Sequence, residues 1–113
     1  MARIHNTSAW QRVRPQILER DGWKCRICGI YLSSGKIKPY SAVVDHIRPH
    51  GLAPDLRLEP TNLWAVCKGC HDGPCQSIEL KYAGDADAIA AAKSSYRPVG
   101  LDGYPIGEGV SKV

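Results

Sequence analysis

Phenylalanine is absent from this chain, and its aromatic content rests on three Trp and five Tyr in 113 residues. A single domain of this size buries a modest core, and thin cores usually need a covalent or metal staple. Long apolar runs are missing too. None is long enough to cross a bilayer, and Met1-Ala2-Arg3-Ile4-His5-Asn6 lacks the apolar stretch of a secretory signal. The expectation is a cytoplasmic protein without a membrane partner, in a compartment where paired cysteines more often bind metal than form disulfides. Acidic residues are scarce in the first part of the chain. Over residues 1–48, nine Lys/Arg (Arg3, Arg12, Arg14, Arg20, Lys24, Arg26, Lys36, Lys38, Arg48) stand against three acids (Glu19, Asp21, Asp45). A one-sided basic face suits a polyanion such as nucleic acid, and equally suits a solvated surface; charge alone does not choose. Internal repeats are absent as well.

Trp10, Val13, Ile17 and Leu18 fall at helical spacing and share one apolar face. Pro15 lacks an N–H and disfavours helix at Arg14, which predicts a kink or restart there. Asp21-Gly22 ends the helix. Cys25 to Gly29 reads as a knuckle turn and Ser33 to Tyr40 as a loop. Ala42 to Asp45 and Leu63 to Val66 read as two short strands, paired antiparallel across a long loop from Arg48 to Thr61. Helical composition follows over Gln76 to Ala83 and over Asp85 to Lys93, the second opened by Asp85 as N-cap. Residues 1–9 read as a flexible arm, 10–96 as the folded domain, and 97–113, rich in Gly and Pro, as an extended or disordered tail.

Cys25-x-x-Cys28 and Cys67-x-x-Cys70 are two CxxC pairs with 38 residues between them. Each pair presents two thiolates from one tight turn, and together they complete a tetrahedral four-sulfur zinc site. A redox pair is disfavoured, because no thioredoxin-like βαβ pattern surrounds either motif. A closed four-thiolate site is structural, since it keeps no open coordination position. Any metal chemistry must therefore use a second ion. Beside the zinc halves stand Asp45-His46, Asn62 and His71, with 15 residues between His46 and Asn62 and eight between Asn62 and His71. A lone His46 would more often be a hydrogen-bonded structural residue. Asn62 reads equally as a turn residue, and His71 as a substitute zinc ligand for Cys70.

The runs Trp10 to Gly22, Cys25-Arg26-Ile27-Cys28-Gly29, Val44 to His50 and Asn62 to His71 together resemble HNH endonucleases, notably small phage-encoded ones found beside packaging genes. The resemblance covers roughly residues 10–75. It implies a small α+β chain with the ββα-metal (HNH, or His-Me finger) fold, a structural zinc knuckle and an N-terminal helix. It further implies DNA cleavage to 5′-phosphate and 3′-hydroxyl ends; low sequence specificity is expected because the sequence shows no recognition helix or separate DNA-reading domain. In that family the first His is the general base, here His46. Asp45 and His71 bind one catalytic divalent metal, and Asn62 tethers the loop that orients the imidazole. One carboxylate with one imidazole accommodates Mg²⁺, Mn²⁺, Ni²⁺ or Zn²⁺. If the chain is phage-encoded, the location is the cytoplasm of a host bacterium, and terminase subunits are candidate partners.

The segment after His71 departs from the pattern. Asp72-Gly73-Pro74-Cys75 replaces the basic stretch of many relatives, and Pro74 belongs in a helix's first turn, which predicts a helix start within 71–75. DNA contacts are then expected from Arg12, Arg14, Arg20, Arg48 or Lys68. Cys75, four residues after His71, is either an accessory metal ligand or a semi-buried free thiol, the second being the favoured reading. His50 is assigned an accessory or DNA-facing place. The competing function is a non-catalytic zinc module that binds nucleic acid or a terminase. It would keep the cysteines and the basic face but has no need of Asp45, His46 and His71 together.

Overall fold

Two five-residue strands, β1 (Ala42–His46) and β2 (Leu63–Cys67), pair antiparallel with Ala42 opposite Cys67 and His46 opposite Leu63. The computed structural model describes residues 7–35 and 39–96. Side chains alternate across a strand, so this small sheet has two differently covered faces. Ala42, Val44, Leu63 and Ala65 pack with Trp10, Ile17 and Leu18 of helix α1 (Ser8–Arg20). Trp64 and Val66 pack on the opposite side with Cys25, Ile27 and Cys75, and Cys67, the last residue of β2, joins that cluster where the strand ends. By the same alternation, His46 falls on the α1 face and Asp45 on the other. The chain is thus a small α+β fold, as the sequence predicts.

The helix α1 begins earlier than the expected arm allows. Thr7 caps it, its hydroxyl accepting from the Trp10 N–H at 3.1 Å, so residues 8 and 9 are helical. The rest of that arm, and the tail from 97, lie outside the described residues. Nor does Pro15 restart the helix, which runs unbroken through it. The reason is placement: Pro15 and Gln11 are both exposed. At so exposed a position, water can serve the Gln11 carbonyl that loses its helical donor.

The end of α1 turns through two left-handed residues, Gly22 at φ 67° and Trp23 at φ 56°. Glycine adopts this conformation freely, whereas a bulky residue such as tryptophan rarely does. Trp23 is held there by its N–H to the Leu18 carbonyl (2.9 Å), its carbonyl accepting from Leu32 N–H (2.8 Å), and its indole donating to Glu19 (3.2 Å). The turn presents Asp21, whose side chain is 2% exposed, to three donors: Arg20, Arg26 and the Ala65 backbone N–H of β2. Burial pushes this carboxyl up, but the Arg20 hydrogen bond, the Ala65 N–H and the two guanidinium charges outweigh it and hold it below the usual carboxylate range. A depressed folded value contributes stability above the unfolded value, near pH 4, and loses it as pH falls through the folded value. Asp21→Ala should cost about 1–3 kcal/mol at neutral pH, because it strands a strand N–H and two guanidiniums. In denaturant melts, the gap between variant and parent should narrow below about pH 4. A gap that stays constant with pH would contradict this role.

After β2 the chain enters one helical run: α2 (Lys68–Cys70), a π-helical turn (His71–Cys75) and α3 (Gln76–Lys81). The expected start within 71–75 is corrected: Cys67 is the N-cap, its sulfur accepting from the Cys70 N–H. Pro74 sits inside the π turn, whose wider spacing removes the need for its missing N–H. Helix α4 (Ala86–Ser95) follows, capped by Asp85 as expected. The loop between the strands contains two short 3₁₀ turns, Pro54–Leu56 and Pro60–Asn62.

Candidate active site and metal centres

The four cysteines converge. The sulfurs of Cys25, Cys28, Cys67 and Cys70 all lie within 4.8 Å of one another, and those of Cys28 and Cys67 are 3.9 Å apart. A tetrahedral zinc site with bonds near 2.3 Å places its sulfurs about 3.8 Å apart, so the donor set fits such an ion closely. Backbone N–H groups of Ile27 and Cys28 donate to Cys25, and that of Cys70 to Cys67, each at 3.4 Å. Such bonds stabilise sulfur carrying negative charge. The Cys70 thiol's hydrogen bond draws Cys25 down to about 4. Burial lifts Cys28 to about 11, and the bond to Cys25 pushes Cys70 up as well. Without an ion the cluster therefore carries less than its full charge, and a dication would draw off the remaining protons. His71 is not a member of this cluster.

Asp45 and His46 end strand β1 back to back. The Asp45 Oδ2 accepts from the Trp64 indole N–H at 2.9 Å, a direct result of register, because Trp64 is its cross-strand partner. Its Oδ1 lies 3.7 Å from His71 Nε2. One carboxylate oxygen is thus anchored while the other faces an imidazole, an arrangement that can chelate an ion between them. Asp45 is 4% exposed and His46 6%. The His46 ring stacks on Trp10, centroids 5.3 Å apart, and meets the edge of His50 at 4.8 Å. His46 Nε2 is 2.9 Å from the Arg57 carbonyl oxygen. A carbonyl only accepts, so the ring proton sits on Nε2 and the lone pair of the neutral ring on Nδ1. Asp45, His46, His50, His71 and Glu79 line one open cleft.

Asn62 is 3% exposed, and both ends of its amide are used. Its oxygen accepts from the Arg48 N–H at 2.9 Å, while its nitrogen donates to the Arg48 carbonyl (3.0 Å) and the Leu56 carbonyl (3.4 Å). It thereby ties both ends of the loop that supplies the Arg57 carbonyl to His46.

Lys93 and Glu79 are charged residues of this site that escaped the sequence reading. Lys93 of α4 is fully buried, and its ammonium donates to Asp45 Oδ2 (3.0 Å), the His46 carbonyl (2.7 Å) and Glu79 (2.7 Å). Burial alone would lower its affinity for a proton, but the Asp45 and Glu79 charges win and raise it, so it remains a cation. The available signal was a charged residue four after Ile89, on the buried face of an Ala-rich helix.

The remaining candidates are spread out. Cys75 is fully buried in the apolar cluster behind the cleft, and burial, then the Asp45 charge, pushes its thiol up. Arg14 donates to the Ala42 carbonyl, and Arg20 to Asp21 and to the Pro60 and Leu63 carbonyls. Arg48 pairs with Asp87 at 3.1 Å and Lys68 with Asp72 at 2.8 Å, while Arg12 is exposed on α1.

The family model described as HNH endonuclease matches residues 25–73, from the first zinc-type cysteine to just past His71. Residues 25–73 are an HNH endonuclease segment. Among solved structures, it is similar to that of the HNH endonuclease of the deep-sea thermophilic bacteriophage GVE2, determined with manganese ion. The match has 24% identity and a TM-score of 0.56, covering 70% of this chain and 82% of that one. That likeness shows a shared fold. No curated protein matches the chain by sequence. The HNH segment contains Asp45, His46, Asn62, His71 and the four cysteines, and leaves Trp10, Glu79 and Lys93 outside. No helix among the described residues is long and apolar enough to cross a membrane.

Proposed function

We propose that this protein cuts DNA by metal-dependent hydrolysis, with His46 as general base and with Asp45 and His71 as ligands of one divalent ion. The observation that carries the reading is the back-to-back pair at the end of β1. His46 is held by the 2.9 Å hydrogen bond between its Nε2 and the Arg57 carbonyl and by its stacking on Trp10, while Asp45 Oδ1 faces His71. An unperturbed imidazole titrates near neutrality, which suits removal of a proton from water at physiological pH. A divalent ion between Asp45 and His71 supplies Lewis-acid compensation for charge at the scissile phosphate and leaving oxygen. Trp10 and Asn62 orient the base, one by stacking and the other by fixing the loop that binds Nε2. Zinc in the four-cysteine site holds the knuckle against β2, and with it the start of the helical run that bears His71.

Among the basic residues, Arg14 and Arg20 bind backbone carbonyls and hold architecture, so phosphate contact falls to Arg12, Arg48 and Lys68. Such contacts position a duplex without reading its sequence, consistent with low specificity. A role beside phage packaging, with terminase subunits as partners, rests on the sequence resemblance alone. The test is supercoiled plasmid incubated with the zinc-loaded protein and Mg²⁺, Mn²⁺ or Ni²⁺. Nicked or linear product with at least one ion, abolished by EDTA, is the expected result. Intact plasmid with all three would overturn the nuclease reading in favour of a binding module.

A further inference from the structure

Lys93 lies beyond residues 25–73 and belongs to none of the motifs, yet its ammonium touches the catalytic dipeptide twice. The Asp45 Oδ2 therefore has two donors, the charged Lys93 and the neutral Trp64 indole. The neutral donor is enough to orient the carboxylate, because strand register places Trp64 directly opposite Asp45. What Lys93 adds is a full positive charge, one carboxylate away from the oxygen that faces His71. A like charge at that distance opposes an incoming dication, and burial weakens its screening by salt. Glu79, bonded to the same ammonium at 2.7 Å and lining the same cleft, offsets part of that charge.

We propose that Lys93 and Glu79 form a charge-setting pair for the Asp45–His71 site, with Lys93 holding divalent-ion affinity low and Glu79 opposing it. The inference rests on reading Asp45 and His71 as the metal ligands. In the free protein Lys93 partly stands in for the ion: its single charge bridges two neighbouring carboxylates and offsets half of their combined charge, without occupying the face of Asp45 that would bind metal. Lys93 is a positioning and tuning residue, since it meets a ligand's far oxygen and not the reacting atoms.

The experiment is a Mn²⁺ titration of the zinc-loaded full chain, followed by the electron paramagnetic resonance signal of free Mn²⁺, with no DNA present. Lys93→Met should bind Mn²⁺ about tenfold more tightly than the parent, and Glu79→Gln about tenfold more weakly. The double variant should return to within about threefold of the parent, because the two charges cancel. A merely structural role would weaken binding in both single variants, and that result, or no change in Lys93→Met, would overturn the proposal. Zinc content and circular dichroism report whether Lys93→Met folds. If it does not, Glu79→Gln decides together with its own zinc content and circular dichroism: weaker binding with both unchanged supports the charge role, and weaker binding with either one lost overturns it. The Glu79 side chain is 36% exposed, so the fold tolerates the exchange, and an unchanged affinity there overturns the proposal. Parent protein that binds no Mn²⁺, or binds it equally after His71→Ala, would overturn the underlying ligand assignment instead.

Discussion

His46→Ala should slow plasmid nicking by about 10²–10⁴-fold, the usual contribution of a positioned general base, while leaving Mn²⁺ binding in place. The separation of the two effects follows from strand geometry. Asp45 and His46 are adjacent in sequence but point to opposite faces of β1, so they are held by different neighbours. Asp45 is fixed by Trp64 and Lys93, whereas the His46 ring is held by Trp10 and the Arg57 carbonyl. Removing the imidazole takes away the proposed base and a stacking partner of Trp10, and should leave the carboxylate and His71 where they are. The buried site becomes a cavity, so a lower unfolding midpoint is expected as well. Nicking and Mn²⁺ affinity should be measured on the same preparation. Undiminished nicking would remove His46 from the mechanism. A parallel loss of Mn²⁺ binding would show that the two strand faces are not independent.

Cys25→Ser should release the structural ion and unfold the domain. Structural zinc sites contribute on the order of 10–16 kcal/mol in zinc-finger peptides, about the whole stability of a small domain. The local consequences reach further than one ligand. Cys25 receives two N–H bonds from its own knuckle, and its cluster with Ile27, Trp64, Val66 and Cys67 is most of the core on that side of the sheet. Serine offers a hard oxygen at a site built for soft sulfur. Elemental analysis should find about one zinc per parent chain and none in the variant. Circular dichroism of the variant should lose the helical signal. A zinc-free variant with the parent's spectrum would show that the two apolar clusters suffice without the staple.

Much of this site is legible in sequence because its parts recur at short spacing. The CxxC pairs are local turns, the β-branched run before Asp45 is a strand, and Asn62 and His71 bracket the second strand. The apolar spacing of Trp10, Ile17 and Leu18 finds one face of α1 correctly. Pro15 misleads because the rule against interior proline assumes a carbonyl that must be satisfied within the protein. Here the residue that carries it is exposed, and water can take the donor's place. Pro74 misleads for a related reason, since a π turn relaxes the bonding pattern that the rule presupposes.

What remains hidden is tertiary. Lys93 reads as a surface lysine of an Ala-rich helix until α4 packs against β1. Asp21 reads as a helix stop, although it also accepts from a strand N–H that is 44 residues away. Arg14 and Arg20 read as phosphate ligands by charge, and only the fold shows their guanidiniums against backbone carbonyls. Long-range polar contacts of this kind leave no periodic trace, because each depends on where a second element happens to dock.

The indole of Trp64, bonded to the anchored oxygen of Asp45, also gives the molecule a built-in optical sensor. A paramagnetic ion seated on the other oxygen of that carboxylate would quench an emitter held a few bonds away. Trp10, against the ring of His46, lies at the same end of the sheet, whereas Trp23 is occupied elsewhere with Glu19. Site occupancy can therefore be followed in the unlabelled protein by its own fluorescence.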